Sequence, residues 1–222
     1  MDISAEYLRR RSDALLITCG TPVPRDLNIP GRELKGIHFA LEFLQGQNRV
    51  NSGELAELSI SAKDKRVLVI GGGDTGSDCV GTANRQGARS VTQIEIMPRP
   101  PEKRSVSTPW PEWPYMLRTS SSHEEGCLRR WEVQSRKFSG GNGSIASVEI
   151  VPVKWTFSPF GKPLKFEESS EKGETIGADL ILLALGFLKL DRSSILEHLK
   201  LEDAPGIFIA GDSATGPSLV VR

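Results

Sequence analysis

Apolar residues in this chain gather into short, uninterrupted runs that end in glycine, as expected of strands buried on both faces. Val67 to Ile70 runs into Gly71-x-Gly73-x-x-Gly76, and a helical segment follows, with Gly87 where a helix C′ residue belongs. Ser90 to Ile96 then reads as a second strand and completes a β-α-β unit of about thirty residues. Asp13 to Gly20 and Ala178 to Gly186 share the strand-then-glycine pattern and look like equivalent strand exits; Gly206 to Asp212 is a further buried strand. Ser147 to Trp155 alternates, and Pro159 to Pro163 makes a turn toward a returning strand at Leu164 to Glu168, so a hairpin is expected there. Elsewhere Pro22 to Gly31 is an irregular connection, His38 to Leu44 a short amphipathic helix, and Gln45 to Gly53 a polar linker.

The fingerprint carries the chemistry. Gly71 permits the tight turn off the strand, Gly73 lets backbone approach a pyrophosphate, and Gly76 lets the helix pack on the strand. Asp74 or Thr75 is placed to cap the helix, whose first amides face the anion. Gly71, Gly72, Gly73, Asp74, Thr75 and Gly76 are therefore the candidate dinucleotide loop. Gly81, inside the helix, costs about 1 kcal/mol relative to alanine, and close packing is the expected compensation. An acidic residue about 20 positions beyond the fingerprint binds a ribose 2′-hydroxyl, and Glu95 has that spacing. Arg99, Lys103 and Arg104 come just after it and suit a 2′-phosphate. Two readings stand for each group, since Glu95 could equally face solvent and the basic cluster could be a solvated loop. The balance favours NADP, with NAD as the other choice.

Composition narrows the class. The chain has 222 residues, 38% hydrophobic and 25% charged, with a formal net charge of zero, which gives no electrostatic footprint for nucleic acid. No run approaches the roughly eighteen apolar residues of a membrane span. Cys19, Cys79 and Cys127 are isolated and show no metal or disulfide spacing, so they read as free thiols in a reducing, cytoplasmic setting.

Beyond these features, the runs Gly71 to Gly76 with Asp78 to Thr82, Pro109 to Pro114, Arg118 to Gly126, Ala184 to Leu188, and Gly211-Asp212 with Ser218 to Val221 resemble the glutamate synthase small subunit and related flavin-dependent pyridine-nucleotide oxidoreductases. The resemblance implies an α/β fold in which a Rossmann-type nicotinamide-binding domain is inserted into a flavin-binding one. On that reading residues 1–62 are a partial flavin-domain segment and linker, 63–186 the NAD(P) domain, and 187–222 the flavin-domain return. It also implies hydride passage from NADPH to FAD, flavin contacts at Gly186, Gly211 and Asp212, and as partners the flavin-domain remainder and the synthase large subunit. The family's cysteine-rich iron-sulfur region and its separate flavin fingerprint have no counterpart in these 222 residues. The chain is therefore expected to be a fragment that holds no cluster and retains flavin poorly.

No acid-base or metal-binding residue is required, because the cofactors carry the hydride chemistry. His38, His123 and His198 read as structural or solvated, with His123 and Glu124 open to a role in shaping the nicotinamide pocket or a partner surface. Trp110 and Trp113 form either an aromatic plug over the domain edge, the favoured reading, or a docking surface. A nucleotide-binding or regulatory module without turnover is the alternative function.

Overall fold

The computed structural model describes residues 3–21, 23–105, 108–111, 115–159, 161, 163–170, 172–189 and 191–217. Trp113, the residues Phe160 and Lys162 of the expected turn, and the Ser218 to Val221 segment lie outside the described residues. The chain opens with α1 (Ala5–Arg10), β1 (Leu15–Ile17), β2 (Ile37–Phe39) and α2 (Ala40–Asn51). The fingerprint region follows as β3 (Arg66–Ile70), α3 (Asp74–Arg85), β4 (Ser90–Ile94), α4 (Ser121–Glu124) and β5 (Leu128–Arg130). Then come β6 (Val133–Gly141), β7 (Ser144–Phe157), β8 (Pro163–Glu168), β9 (Glu174–Gly177) and β10 (Leu180–Leu183). The chain ends with α5 (Arg192–His198), β11 (Ile207–Ile209) and α6 (Asp212–Thr215).

Two compact units result, Asp26–Leu185 and the pair Met1–Arg25 with Gly186–Arg222. The first is built on a five-stranded parallel sheet in the order β2-β10-β3-β4-β5. Period-two alternation divides each central strand between two cores. Val67, Val69, Leu180 and Leu182 face Phe43 of α2 and Val80 of α3, whereas Leu68, Ile70, Ile181 and Leu183 face Val148 and Ile150 of β7. Hence the continuous apolar runs: both faces of β3 and β10 are covered, one by helices and the other by the antiparallel β6-β7-β9 layer. Truncating a side chain such as Leu182 to alanine would cost about 2–5 kcal/mol.

Several expectations need adjustment. The expected helix from His38 instead begins at Ala40, after β2, and runs through the expected polar linker to Asn51. Only Ala40 and Phe43 of α2 are buried, so its polar residues are the solvent face of a helix, and Gly53 at φ 77° follows its end. Residues 26 to 62 accordingly lie with the fingerprint: β2 pairs with β10, and Phe43 enters the core. The strand exits at Gly20 and Gly186 belong to different arrangements, since β1 pairs with β11 while β10 is interior to the five-stranded sheet. The hairpin forms between β7 and β8 as expected. Among the described residues no helix is long and apolar enough to cross a membrane.

The smaller unit pairs β1 with β11 in parallel and packs Ile17 and Ile207 against Ile195 and Leu196 of α5. Asp191 caps α5 by accepting the Ser194 amide at 2.7 Å.

At the start of the large sheet, Asp179 ties β10 to β3: its carboxylate accepts the Arg66 amide at 2.9 Å and the Arg66 guanidinium at 2.9 and 2.6 Å. These bonds hold its acid well below the ordinary 3.8, at about 2. A carboxylate whose folded pKa is depressed stabilises fully above its unfolded value and loses that contribution as pH falls through the folded one. Because the pair is more than a third exposed, solvent screening limits it to about 1 kcal/mol. Asp179→Asn is expected to lower stability by that amount at pH 7, with the gap to the parent closing between pH ~4 and ~2. Urea unfolding across that range measures it, and a gap that persists at the acid end would show that the acid's charge is not its source.

Candidate functional site

β3 ends between two neighbours: the Ala184 amide donates to the Ile70 carbonyl at 2.8 Å, and the Gly71 amide donates to the Ile94 carbonyl at 2.9 Å. Gly71 then turns at φ 124°, where a Cβ would stand 2.1 Å from the Ala184 carbonyl oxygen. A Cβ at Gly76 would stand 2.3 Å from the Gly71 oxygen, so the first turn of α3 is packed directly on the strand exit. Gly73 differs. It is the N-cap of α3 in extended conformation, and a Cβ there would meet nothing within 4 Å. Thus two glycines are required by the fold, and the third leaves backbone open to a ligand.

Neither Asp74 nor Thr75 caps the helix. Asp74 is its first helical residue, and no side chain caps it. An acid in the first turn favours the helix dipole but also places a negative charge beside the cleft. Gly81 is explained by close packing as expected: a Cβ there would lie 2.6 Å from Ser122 Oγ of α4.

The open side of Gly73 faces a cleft of about 330 Å³. It is lined by Gly72, Gly73, Asp74 and Ser77, by Glu95 and Met97 beyond the end of β4, and by Arg118, His123, Arg129 and Trp131. Glu95 is turned toward the backbone, where its carboxylate accepts the Gly72 amide through Oε2 and the Met97 amide at 3.0 Å through Oε1. Its own amide donates to the Arg130 carbonyl at 2.9 Å, which ties the end of β4 to β5.

Beneath the loop runs a buried polar chain. Gln93, 2% exposed, donates from Nε2 to the Gly71 carbonyl at 2.9 Å, and its Oε1 lies 2.8 Å from His123 Nε2. Since that oxygen can only accept, His123 carries its proton on Nε2. Its Nδ1 then accepts from Ser120, whose hydroxyl is 2.9 Å away and also meets the Ser77 hydroxyl of α3. Burial, and after it the Arg129 charge, lower the His123 pKa and so favour the neutral tautomer this chain requires.

The remaining candidates are dispersed. Arg99 lies over the Trp131 ring at 5.6 Å and donates to Glu102 at 3.4 Å; Arg104 reaches the Thr108 carbonyl at 3.5 Å, and Lys103 is exposed. None of these three lines the 330 Å³ cleft. In the smaller unit, Gly186 at φ 78° accepts the Arg25 amide at 2.9 Å, while Gly211 at φ 66° precedes Asp212, the first residue of α6. Trp110 is 84% exposed, which does not match an aromatic plug. The free thiol of Cys79, on the buried face of α3, is pushed up to about 12 by that burial, so it stays protonated. Gln93, Ser77, Ser120 and Arg129 were absent from the sequence reading of the site. The period-two pattern of β4 could have flagged Gln93, a polar residue at a position facing the helices.

Comparison with known proteins agrees with this geometry. A family model described as pyridine nucleotide-disulphide oxidoreductase matches residues 5–113. The glutamate synthase [NADPH] small chain of Mycobacterium tuberculosis is 44% identical over 241 aligned residues, covering 100% of this chain and 48% of the relative. The glutamate synthase [NADH] of Schizosaccharomyces pombe is 38% identical, with 99% of this chain and 12% of the relative covered. This chain thus spans about half the length of the curated small chains it matches. Among solved structures, Mycobacterium tuberculosis FprA in complex with NADPH superposes with a TM-score of 0.67 at 16% identity, over 99% of this chain and 62% of that one. The T. acidophilum thioredoxin reductase superposes with a TM-score of 0.60 at 17% identity, over 93% of this chain and 59% of that one. These likenesses show the Rossmann-type fold.

The glycine geometry makes a stability prediction. Gly71→Ala forces a side chain onto a carbonyl at positive φ and is expected to cost at least about 1–3 kcal/mol. Gly73→Ala changes only the helix cap and is expected to stay within about 1 kcal/mol of the parent. Equal losses for both in urea unfolding would contradict the assignment of fold and ligand roles to different glycines.

Proposed function

Because this chain resembles glutamate synthase small chains along its whole length, we propose that it is the NADPH-binding part of a flavin-dependent oxidoreductase of that kind. On this reading the unit Asp26–Leu185 is the nicotinamide-nucleotide domain, and the segments on either side of it belong to a flavin-binding domain. The observation that carries the reading is the open backbone at Gly73, at the head of a twelve-residue helix and beside a cleft.

The residues present fit a dinucleotide. Gly73 permits close approach of a pyrophosphate, and Gly72 offers backbone at the same edge while its amide is held by Glu95. Asp74, Thr75 and Gly76 form the first turn, with Gly76 clamping it to β3. Gln93, itself fixed by His123, holds the Gly71 carbonyl, and with it the angle at which the loop leaves the strand. When bound, nicotinamide and flavin supply the hydride chemistry themselves; the chain's part is to bind, to orient and to exclude water. Gly186, Gly211 and Asp212 are assigned to the flavin side of the reaction, and Arg99, Lys103 and Arg104 to the rim outside the cleft. NADPH is favoured over NADH because Glu95 is already engaged by two amides and is not presented to a ribose 2′-hydroxyl. The partner of the complete system is the synthase large subunit.

Calorimetric titration of the purified chain with NADPH tests the reading. One nucleotide is expected per chain, with NADPH bound more tightly than NADH, and Gly73→Val is expected to weaken both severely by placing a side chain in the pyrophosphate position. Absence of binding by the parent at about 1 mM NADPH, the upper end of ordinary working affinities, would overturn it.

A further inference from the structure

A second feature of the cleft concerns charge. Arg129 is on β5, opposite Gln93 in the parallel register, on the edge strand of the large sheet. It lines the same cleft as Gly72, Gly73 and Glu95. Its guanidinium is half-buried, lies over the Trp131 ring at 4.9 Å and donates from Nη1 to the Arg118 carbonyl at 3.0 Å. Neither contact neutralises it. Among the described residues Arg129 forms no ion pair, in contrast to Arg66, Arg85, Arg130, Arg136 and Arg192, each of which meets a carboxylate.

The surroundings add to the imbalance. A second cation, Arg99, sits over the same indole at 5.6 Å, with its own carboxylate partner Glu102 at 3.4 Å. Of the two acids that line the cleft, Asp74 and Glu95, the latter directs both oxygens to the Gly72 and Met97 amides. A half-buried guanidinium that meets no carboxylate among the described residues is a favourable place for an anionic ligand. Burial and the neighbouring Arg99 both lower the Arg129 pKa, in keeping with a cation short of compensation.

We propose that Arg129 reads the 2′-phosphate of NADPH, with Trp131 holding its planar fork in place and Arg99 adding a second positive charge beside it. The inference rests on the nucleotide-binding reading above and names the residue behind its cofactor preference. Position supports the assignment. The pyrophosphate would occupy the Gly73 edge, whereas β5 is the next strand beyond β4, the strand whose end carries the 2′ position in this fold. Arg129 therefore takes the part that sequence spacing alone would give to Arg99 and Arg104. A planar guanidinium held over an indole also suits a phosphate better than a lysine would, because its fork can donate two parallel hydrogen bonds.

The test is a comparison of NADPH and NADH affinities, by calorimetry, for the parent, Arg129→Met and Arg129→Lys. Arg129→Met keeps much of the stem that covers Trp131. Loss of a charge-assisted contact predicts NADPH binding weakened by about 10- to 100-fold and NADH binding changed by less than about 3-fold. Arg129→Lys should recover part of the NADPH affinity. Thermal melting and circular dichroism accompany each titration, so that a misfolded variant is recognised, and Arg129→Lys then carries the comparison. Equal losses for both nucleotides in a folded variant would show that Arg129 merely packs against Trp131 and would overturn the inference. So would unchanged NADPH affinity, or a parent that binds both nucleotides equally well, and in those two cases the nucleotide-binding reading itself would stand. A parent that binds neither nucleotide would remove both.

Discussion

The Gly71 carbonyl is the point on which the cleft depends. It is approached from one side by the α-carbon of Gly76, where a Cβ would come within 2.3 Å, and from another by Gln93 Nε2 at 2.9 Å. The residue that bears it leaves no room for a side chain beside Ala184. Strand, helix and the neighbouring β10 are thus held at one small group, and each contact requires a particular residue: glycine at 71 and 76, an amide side chain at 93. The loop between them inherits its position from this packing, which is why Gly73 can be exposed and still be placed accurately.

The polar chain from Gln93 through His123 and Ser120 to Ser77 performs a related task at a different cost. A buried amide without partners would lose about 1–3 kcal/mol, so Gln93 is tolerable only because both ends of its side chain are bonded. Satisfying its oxygen in turn dictates the proton position on His123, and the capping box at α4 supplies the acceptor's other neighbour. The result joins β3, β4, α4 and α3 through side chains as well as through the apolar core. It is a structural use of a histidine, and it depends on that histidine being neutral, the state that burial favours.

Local pattern exposed the parts of this protein whose constraints are local. Glycine spacing marked the Gly71 to Gly76 loop because each position answers to sterics within one turn, and the apolar runs of β3 and β10 were legible because both of their faces are buried. Helix α2 was bounded too short, since a helix with Ala40 and Phe43 as its only buried residues resembles a linker when read residue by residue. Strand β5 gave no signal: it is three residues long, with an exposed Leu128 followed by two arginines. Its importance comes from the strand order, which places it beside β4, and no window of sequence around it contains that information. Arg129 could not be chosen over Arg99 or Arg104 for the same reason.

Glu95 shows how a correct spacing can carry a different meaning in the folded chain. At the end of the second strand an acid usually points outward to a ribose, and its position here is the expected one. Yet its oxygens face inward and accept the Gly72 and Met97 amides, so the residue braces the glycine loop against the strand end. An acid used in this way still carries its charge, and a bare carboxylate at the rim would repel a 2′-phosphate. Hydrogen bonds from two backbone amides spread that charge and turn it toward the loop, and the arginines over Trp131 set an opposite charge farther along the wall. The two arrangements are complementary: the one withdraws negative charge from the place where the other would gather an anion, so the phosphate contact proposed for Arg129 depends on the inward turn of Glu95 as well.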